Sequence, residues 1–439
     1  MKKITMMAMM LILCIGLVAC GNNKETMASP TKEPVKETTK PTSEDTTQEE
    51  SEDVAVATEA PQEETDKVVT DKTQIVGMAN EILSNMTLEE KIGQLFIVNF
   101  EQLDTRKGDT YDFTKVTATM REALKKYKVG GVIFFSRNMV TPKQTTKFIH
   151  KLQGFSSVPM FISVDEEGGD VARIANNEKM NTTKFPTMEQ VGQISDEDYA
   201  FNMGQTIGKE IKALGFNLDF APVADVRTNE LNTEIGNRSF GDDSKLVSKL
   251  VSQVVIGLQS ENVVATLKHF PGQGSTTGDS HKGAVDVDSD INELRKVSFV
   301  PFKSGIKAGA DVIMVSHLSI SNVTGSTKPA SMTELVMKDI LRTELSFEGL
   351  IITDAMNMKS VTNYYTPGEA AVNAISAGAD MVLMPENFMA AYNAVYDAVS
   401  NGKIDEKTID EKVQRILELK IKRGIILSDT SLSSTSEEN

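Results

Sequence analysis

The sequence predicts an α/β protein of the (β/α)8, or TIM barrel, class, and three observations carry that prediction. From about residue 73 onward, short apolar or β-branched runs alternate with longer amphipathic ones, the pattern of repeated βα units. No Gly-rich dinucleotide or P-loop fingerprint follows the first apolar run, which weakens an open doubly wound sheet. Polar residues gather at the C-terminal ends of the apolar runs, the face on which barrels build their active sites. With 439 residues, 40% hydrophobic and 25% charged, the chain can fill one large barrel core.

Eight strand candidates follow in order at 95–100, 131–135, 160–165, 218–223, 263–270, 312–317, 350–354 and 381–385. Between them lie helical stretches at 196–214, 244–260, 291–308, 333–344 and 368–377, with flanking helices near 74–85 and 405–422. The barrel domain is therefore placed at 73–425, and a polar C-terminal tail at 426–439.

The N-terminus carries a different message. Lys2 and Lys3 precede an apolar run at 6–19 that ends Leu17-Val18-Ala19-Cys20, the layout of a signal peptide too short to span a bilayer comfortably. This resembles a bacterial lipoprotein signal. The resemblance implies that 1–19 is removed, that Cys20 is lipidated, and that the protein is anchored to the outer face of the cell membrane. Cys14 and Cys20 are the only cysteines, so a chain beginning at Cys20 has no disulfide. The segment 20–72 is rich in Thr, Glu, Ser, Pro and Lys and almost free of aromatics, and is expected to stay disordered as a tether. As a flexible coil it would span roughly 40 Å. The net charge of −16 argues against nucleic-acid binding, which needs basic clusters.

Five groups at the strand ends bear on chemistry. The third strand candidate ends in Asp165-Glu166-Glu167-Gly168-Gly169-Asp170 with Arg173 close behind; the fifth ends in Lys268-His269-Phe270-Pro271-Gly272-Gln273 and leads to Asp279-Ser280-His281. His317 closes the sixth and Asp354 the seventh, so three of the four histidines fall at one rim; His150 sits in a helical stretch at the surface. A zinc site is one explanation, but no Cys can serve and no compact ligand motif is present, so no metal and no cofactor is expected. In an extended loop Asp279 and His281 point the same way, so the carboxylate can orient the imidazole and favour its protonated form. That is two thirds of a serine-hydrolase triad, yet no G-x-S-x-G elbow appears and Ser280 is too local to be the nucleophile. Asp354 on its apolar strand is the better nucleophile, as in retaining glycosidases, with a helix N-cap as its competing role.

These motifs resemble glycoside hydrolase family 3, in its β-N-acetylglucosaminidase branch, over residues from about 73 to 422. The residues that carry the resemblance are Val164-Asp165-Glu166-Glu167-Gly168-Gly169, Gly236-Asn237-Arg238-Ser239-Phe240, Lys268-His269-Phe270-Pro271-Gly272, Gly278-Asp279-Ser280-His281 and Ile352-Thr353-Asp354-Ala355-Met356. The resemblance implies Asp354 as nucleophile, His281 with Asp279 as the acid/base dyad, and Asp165, Arg173, Arg238, Lys268 and His269 as the residues that hold the terminal sugar. Gln273 stands where the family commonly has His, and Asp170 where it commonly has a basic residue, which bears on fine specificity.

The expected activity is a retaining exo-β-N-acetylglucosaminidase releasing terminal β-linked N-acetylglucosamine, with amino-sugar oligosaccharides or muropeptides from peptidoglycan as substrates. After the eighth strand candidate only one or two helices remain, so the second domain that supplies an acid in the glucosidase branch has no room. The alternatives are a β-glucosidase or glycoside phosphorylase of the same family, since a histidine in place of an anionic acid would repel phosphate less, and a non-catalytic sugar-binding lipoprotein. A monomer is the favoured oligomeric state.

Overall fold

The computed structural model describes residues 69–108 and 111–428. The signal peptide at 1–19, Cys20, the greater part of the tether at 20–72 and the tail beyond 428 lie outside the described residues. Eight parallel strands close a barrel: β1 (Phe96–Val98), β2 (Gly131–Ile133), β3 (Phe161–Val164), β6 (Leu218–Asp219), β7 (Val264–Phe270), β8 (Val312–Val315), β9 (Leu350–Ala355) and β10 (Met381–Leu383), with β10 pairing back onto β1. A two-stranded antiparallel hairpin, β4 (Glu166–Gly168) and β5 (Val171–Ala172), rises from the end of β3. Because helices cover the outside and side chains fill the inside, the strands are buried on both faces, as β8 shows at each of its four residues.

The helices start where side chains can satisfy free backbone N–H groups. Thr87 and Thr366 each close a capping box, with Glu90 and Glu369 respectively. Glu197–Leu214 and Ser244–Ser260 lie so close that a Cβ on Gly204 would meet the Val254 carbonyl oxygen at 2.6 Å, and one on Gly257 the Phe201 carbonyl oxygen at 2.4 Å. Only glycine permits that approach. The hairpin turn at Gly168 and Gly169 needs positive φ at both, +92° and +57°.

Differences from the expected elements have local causes. The 291–308 helix is two, Ile291–Lys296 and Phe299–Lys307, with Pro301 in the first turn of the second, where its missing N–H costs nothing. The first strand stops at Val98 because Asn99 caps Phe100–Leu103, accepting from the Gln102 N–H at 3.1 Å. The fourth shrinks to Leu218–Asp219 ahead of Pro222, which has no N–H for the ladder; Val223 still bridges Lys268. Both domain edges also move outward. Asp71 caps Lys72–Ser84 and Val69 packs against the core, while Ile426 is buried and bonds back to Lys420. Among the described residues, no helix is long and apolar enough to cross a membrane.

Candidate active site

A cavity of about 420 Å³ opens at the C-terminal ends of the strands, lined by Asp165, Glu167, Arg173, Glu234, Arg238, Lys268, His269, His281 and Asp354, together with apolar side chains such as Met314 and Leu383. Its floor is a lattice of charge pairs. Lys268, only 3% exposed at the end of β7, lies 2.9 Å from Asp165 and 2.6 Å from Glu167. Arg238 grips Glu167 with two parallel bonds, Nε to Oε2 at 2.9 Å and Nη2 to Oε1 at 2.7 Å. Burial would push the Glu167 carboxyl up, but Arg238 and Lys268 outweigh it and hold the group well below the usual carboxylate range. Arg173, which also lines the cavity, has its Nε 4.0 Å from Asp165, and that Nε is buried and makes no hydrogen bond among the described residues.

His269 follows Lys268 through a cis peptide, and both side chains line the cavity. Asp225 fixes the ring: its Oδ2 lies 2.8 Å from His269 Nδ1 and also accepts from the His269 backbone N–H, while its Oδ1 accepts from the Gln273 N–H. Nδ1 therefore carries the proton. Nε2, facing Arg238 Nη2 at 3.4 Å, is left to accept.

Asp354 projects from the end of β9, half-buried, with Oδ1 accepting from the Ala355 N–H at 2.7 Å. It caps no helix, since the next begins at Lys359. Burial works to raise its pKa, but His269, His317, the Ala355 N–H and Lys268 together hold it below the ordinary aspartate value. The group is thus an ionised carboxylate facing a cavity. His317, buried at the end of β8, has Nδ1 2.7 Å from Ser331 Oγ and Nε2 3.1 Å from the Ala355 carbonyl. A carbonyl only accepts, so Nε2 bears the proton, and burial lowers the pKa of the ring. His317 ties the chain beyond Asp354 to the neighbouring strand end.

His281 occupies a loop after β7, and its side chain is 64% exposed. Its Nδ1 lies 3.2 Å from Asp279 Oδ1, and its backbone N–H donates to the same oxygen. Glu234, from the loop after β6, approaches the same nitrogen at 3.0 Å. Glu234 first, with Asp354 and Asp279, raises the His281 pKa against the opposing effect of partial burial. The three side chains offer ligand atoms within 4.8 Å of one another. Two of them are also engaged by neighbours, Glu234 by the Ser280 N–H and hydroxyl and Asp279 by Lys282 at 2.8 Å.

The sequence matches the glycosyl hydrolase family 3 N terminal domain over residues 87–419. The chain belongs to glycosyl hydrolase family 3. It is 30% identical over 338 residues to the beta-hexosaminidase of Nitrosomonas eutropha, a match covering 74% of this chain and 95% of that one. Beta-hexosaminidase A of Pseudoalteromonas piscicida is 30% identical over 370 residues, covering 77% of this chain but 61% of its own length. Among solved structures, the family 3 beta-N-acetylglucosaminidase from Paenibacillus sp. superposes with a TM-score of 0.72 at 35% identity, covering 77% of this chain and 63% of that one. The chain therefore spans less than two thirds of two of these relatives.

In this family 3 barrel, of the residues given catalytic or sugar-holding roles from the sequence, Asp354, His281, Asp165, Arg173, Arg238, Lys268 and His269 line the cavity, and Asp279 stands behind His281. Three further residues complete the site: Glu167, Asp225 and Glu234. Glu167 was within reach of sequence reasoning, because alternation along an extended segment puts it on the face of Asp165 and turns Glu166 away. Glu166 indeed points elsewhere, accepting from the Ile174 and Ala175 N–H groups, with burial pushing its pKa up to about 7. Asp225 and Glu234 sit in irregular chain after β6 and carry no periodic signal. Neither Gln273 nor Asp170 lines the cavity: Gln273 is buried beneath the His281 loop, and Asp170 is exposed and accepts from Asn237.

Proposed function

We propose that the protein is a retaining exo-β-N-acetylglucosaminidase that acts by double displacement. The observation that carries this is an ionised Asp354 at the end of β9, facing a cation-lined cavity over which His281 is held by carboxylates. Asp165 accepts from the hydroxyls of the terminal sugar, and Arg173, whose buried Nε makes no hydrogen bond among the described residues, donates to it. Asp354 attacks the anomeric carbon as the glycosidic bond breaks, and its electrons go to the departing oxygen, which takes the proton of His281. A covalent glycosyl ester remains. Water then attacks the same carbon, His281 takes its proton, and Asp354 departs with configuration retained at the sugar.

Support for the substrate comes from relatives named beta-hexosaminidase and beta-N-acetylglucosaminidase. We assign peptidoglycan-derived fragments as its source because the sequence reads as an exported lipoprotein anchored through Cys20.

Release of p-nitrophenol from its β-N-acetylglucosaminide, and trapping of a fluorinated sugar on Asp354, test the reaction. Activity confined to the β-glucoside would replace it with the glucosidase reading. Incorporation of labelled palmitate that Cys20→Ala abolishes tests the anchor.

A further inference from the structure

We infer that Glu234 is the third member of the acid/base group: from a loop of the neighbouring βα unit it positions His281 over the cavity, and its charge disfavours an anionic acceptor. This rests on the roles assigned above to Asp354 and His281.

The first ground is geometric. Glu234 approaches His281 Nδ1 at 3.0 Å, closer than the 3.2 Å of Asp279, although Asp279 is only two residues away in the chain. The Glu234 side chain is 6% exposed and the imidazole 64%, so the buried group holds the exposed one. Glu234 Oε2 accepts from the Ser280 N–H at 2.9 Å, and Oε1 accepts from the Ser280 hydroxyl. One carboxylate thus grips two successive residues of the loop.

The second ground is where Glu234 itself is fixed. Its carbonyl accepts from Arg238 Nη1 at 3.3 Å, and the next residue, Ile235, donates its N–H to Asn232 Oδ1 at 2.9 Å. Asn232 in turn donates to the Gln273 carbonyl at 2.7 Å. Arg238 belongs to the buried lattice under the sugar. Glu234 is therefore the link through which the buried floor sets the position of the exposed acid/base.

The third ground is charge. The groups facing His281 are Glu234 from the β6 loop, Asp279 on its own loop with Lys282 paired to it, Asp354 from β9 and, more distantly, His317 from β8. Contacts with His281 and Ser280 overcome burial and keep the Glu234 carboxyl below its ordinary pKa, so it is an anion. With Nδ1–H shared between two carboxylates, Nε2 is the nitrogen free to give its proton to the leaving oxygen and to take one from the acceptor. An incoming phosphate meets two negative charges beside that nitrogen, whereas water meets no repulsion. The presence of Glu234 thus offsets the advantage that a histidine acid/base would give to phosphorolysis.

The test uses the full chain with Glu234→Gln, which removes the charge, and Glu234→Asp, which keeps it. For Glu234→Gln the alkaline limb of kcat/KM should move about one pH unit lower. Its activity should fall about tenfold more on chitobiose, whose leaving group needs protonation, than on the p-nitrophenyl glycoside. In excess phosphate, its share of sugar 1-phosphate should exceed that of the wild type. Glu234→Asp should keep the wild-type alkaline limb. An unchanged pH profile and an unchanged substrate ratio in a folded Glu234→Gln would overturn the inference.

A separate measurement needs neither turnover nor that variant: NMR titration of the wild-type histidines, with His281 identified by the signal lost in His281→Ala. A His281 midpoint well above the ordinary value of about 6.5 agrees with the inference, and one at or below it overturns it. Wild-type protein that releases no sugar while His281 titrates high would sink the proposed reaction and leave the Glu234 contact standing, so the two failures are distinct.

Discussion

The floor of the cavity and the loop that covers it are built on opposite principles. Asp165, Glu167, Arg238 and Lys268 sit on strand ends or on chain held tightly against them, pair with one another, and are mostly buried. Asp279, Ser280 and His281 lie on irregular chain, and the imidazole is largely in solvent. The floor is therefore preorganised by folding itself: breaking any pair leaves a buried charge uncompensated. The loop is kept in place by a handful of hydrogen bonds, from Glu234, Gln273 and Ser360, each worth about 1 kcal/mol net. On the proposed roles, the sugar would be recognised by the buried, mutually paired part and the proton carried by the exposed one.

If that contrast is right, substitutions on the two sides should fail differently. The largest loss is expected at Asp354, the proposed nucleophile: Asp354→Ala should lower kcat by about 10⁴-fold or more with little change in melting temperature. Residual turnover near wild type would end its assignment as nucleophile. Glu167→Ala should break the floor itself. It strands Arg238 and takes one of two carboxylates from Lys268, and removing one partner of a buried pair typically costs about 3–5 kcal/mol, read here as a lowered denaturation midpoint along with lost activity. A folded, fully stable Glu167→Ala would mean that the lattice does not preorganise the site.

The same carboxylate gives the floor a pH signature. Because the folded pKa of Glu167 is depressed, its contribution to stability is fully present above the unfolded glutamate value of about 4.3 and drains away as pH falls toward the lower folded value. Acid unfolding below about pH 4 should accordingly lose part of its pH dependence in Glu167→Gln. His281→Ala should do the reverse of Glu167→Ala, lowering kcat by about 10²–10⁴-fold with the melting temperature kept, since the imidazole is exposed. A large stability loss there would show that the loop is part of the core.

The contrast also accounts for what the sequence could reveal. The barrel was legible because eight apolar runs must be buried and their spacing is periodic; what was misjudged includes the strand ends at Asn99 and Pro222 and the break ahead of Pro301 inside an expected helix, where a cap or a missing N–H decides. Floor residues were legible because they sit at strand ends, the place barrels reserve for chemistry. Glu167 was overlooked beside Asp165 although alternation pointed to it. Asp225 and Glu234 were not legible at all. Each acts through a histidine more than 40 residues further along the chain, and irregular loops carry no period from which such a meeting could be read. Gln273, expected to bear on fine specificity, is buried, with its side chain 3.4 Å from the Ser280 hydroxyl.

The smallest expected effect separates the two regions most sharply. Ser280 donates its hydroxyl to Glu234 and lies 3.4 Å from Gln273 Nε2, while its N–H and carbonyl are held by Glu234 and by the Ser360 N–H. Ser280→Ala deletes only the hydroxyl contacts, about 1 kcal/mol of loop ordering, and leaves the backbone clamp and every floor pair intact. Turnover should fall only a few-fold, through the fraction of molecules with the loop docked, while the affinity of the floor for a terminal sugar stays at the wild-type value. The decisive comparison is the Kd for N-acetylglucosamine against kcat on chitobiose in the same variant. A drop in both would mean that loop and floor are one cooperative unit. A drop in kcat alone would show the acid/base to be docked onto a sugar site that is complete without it.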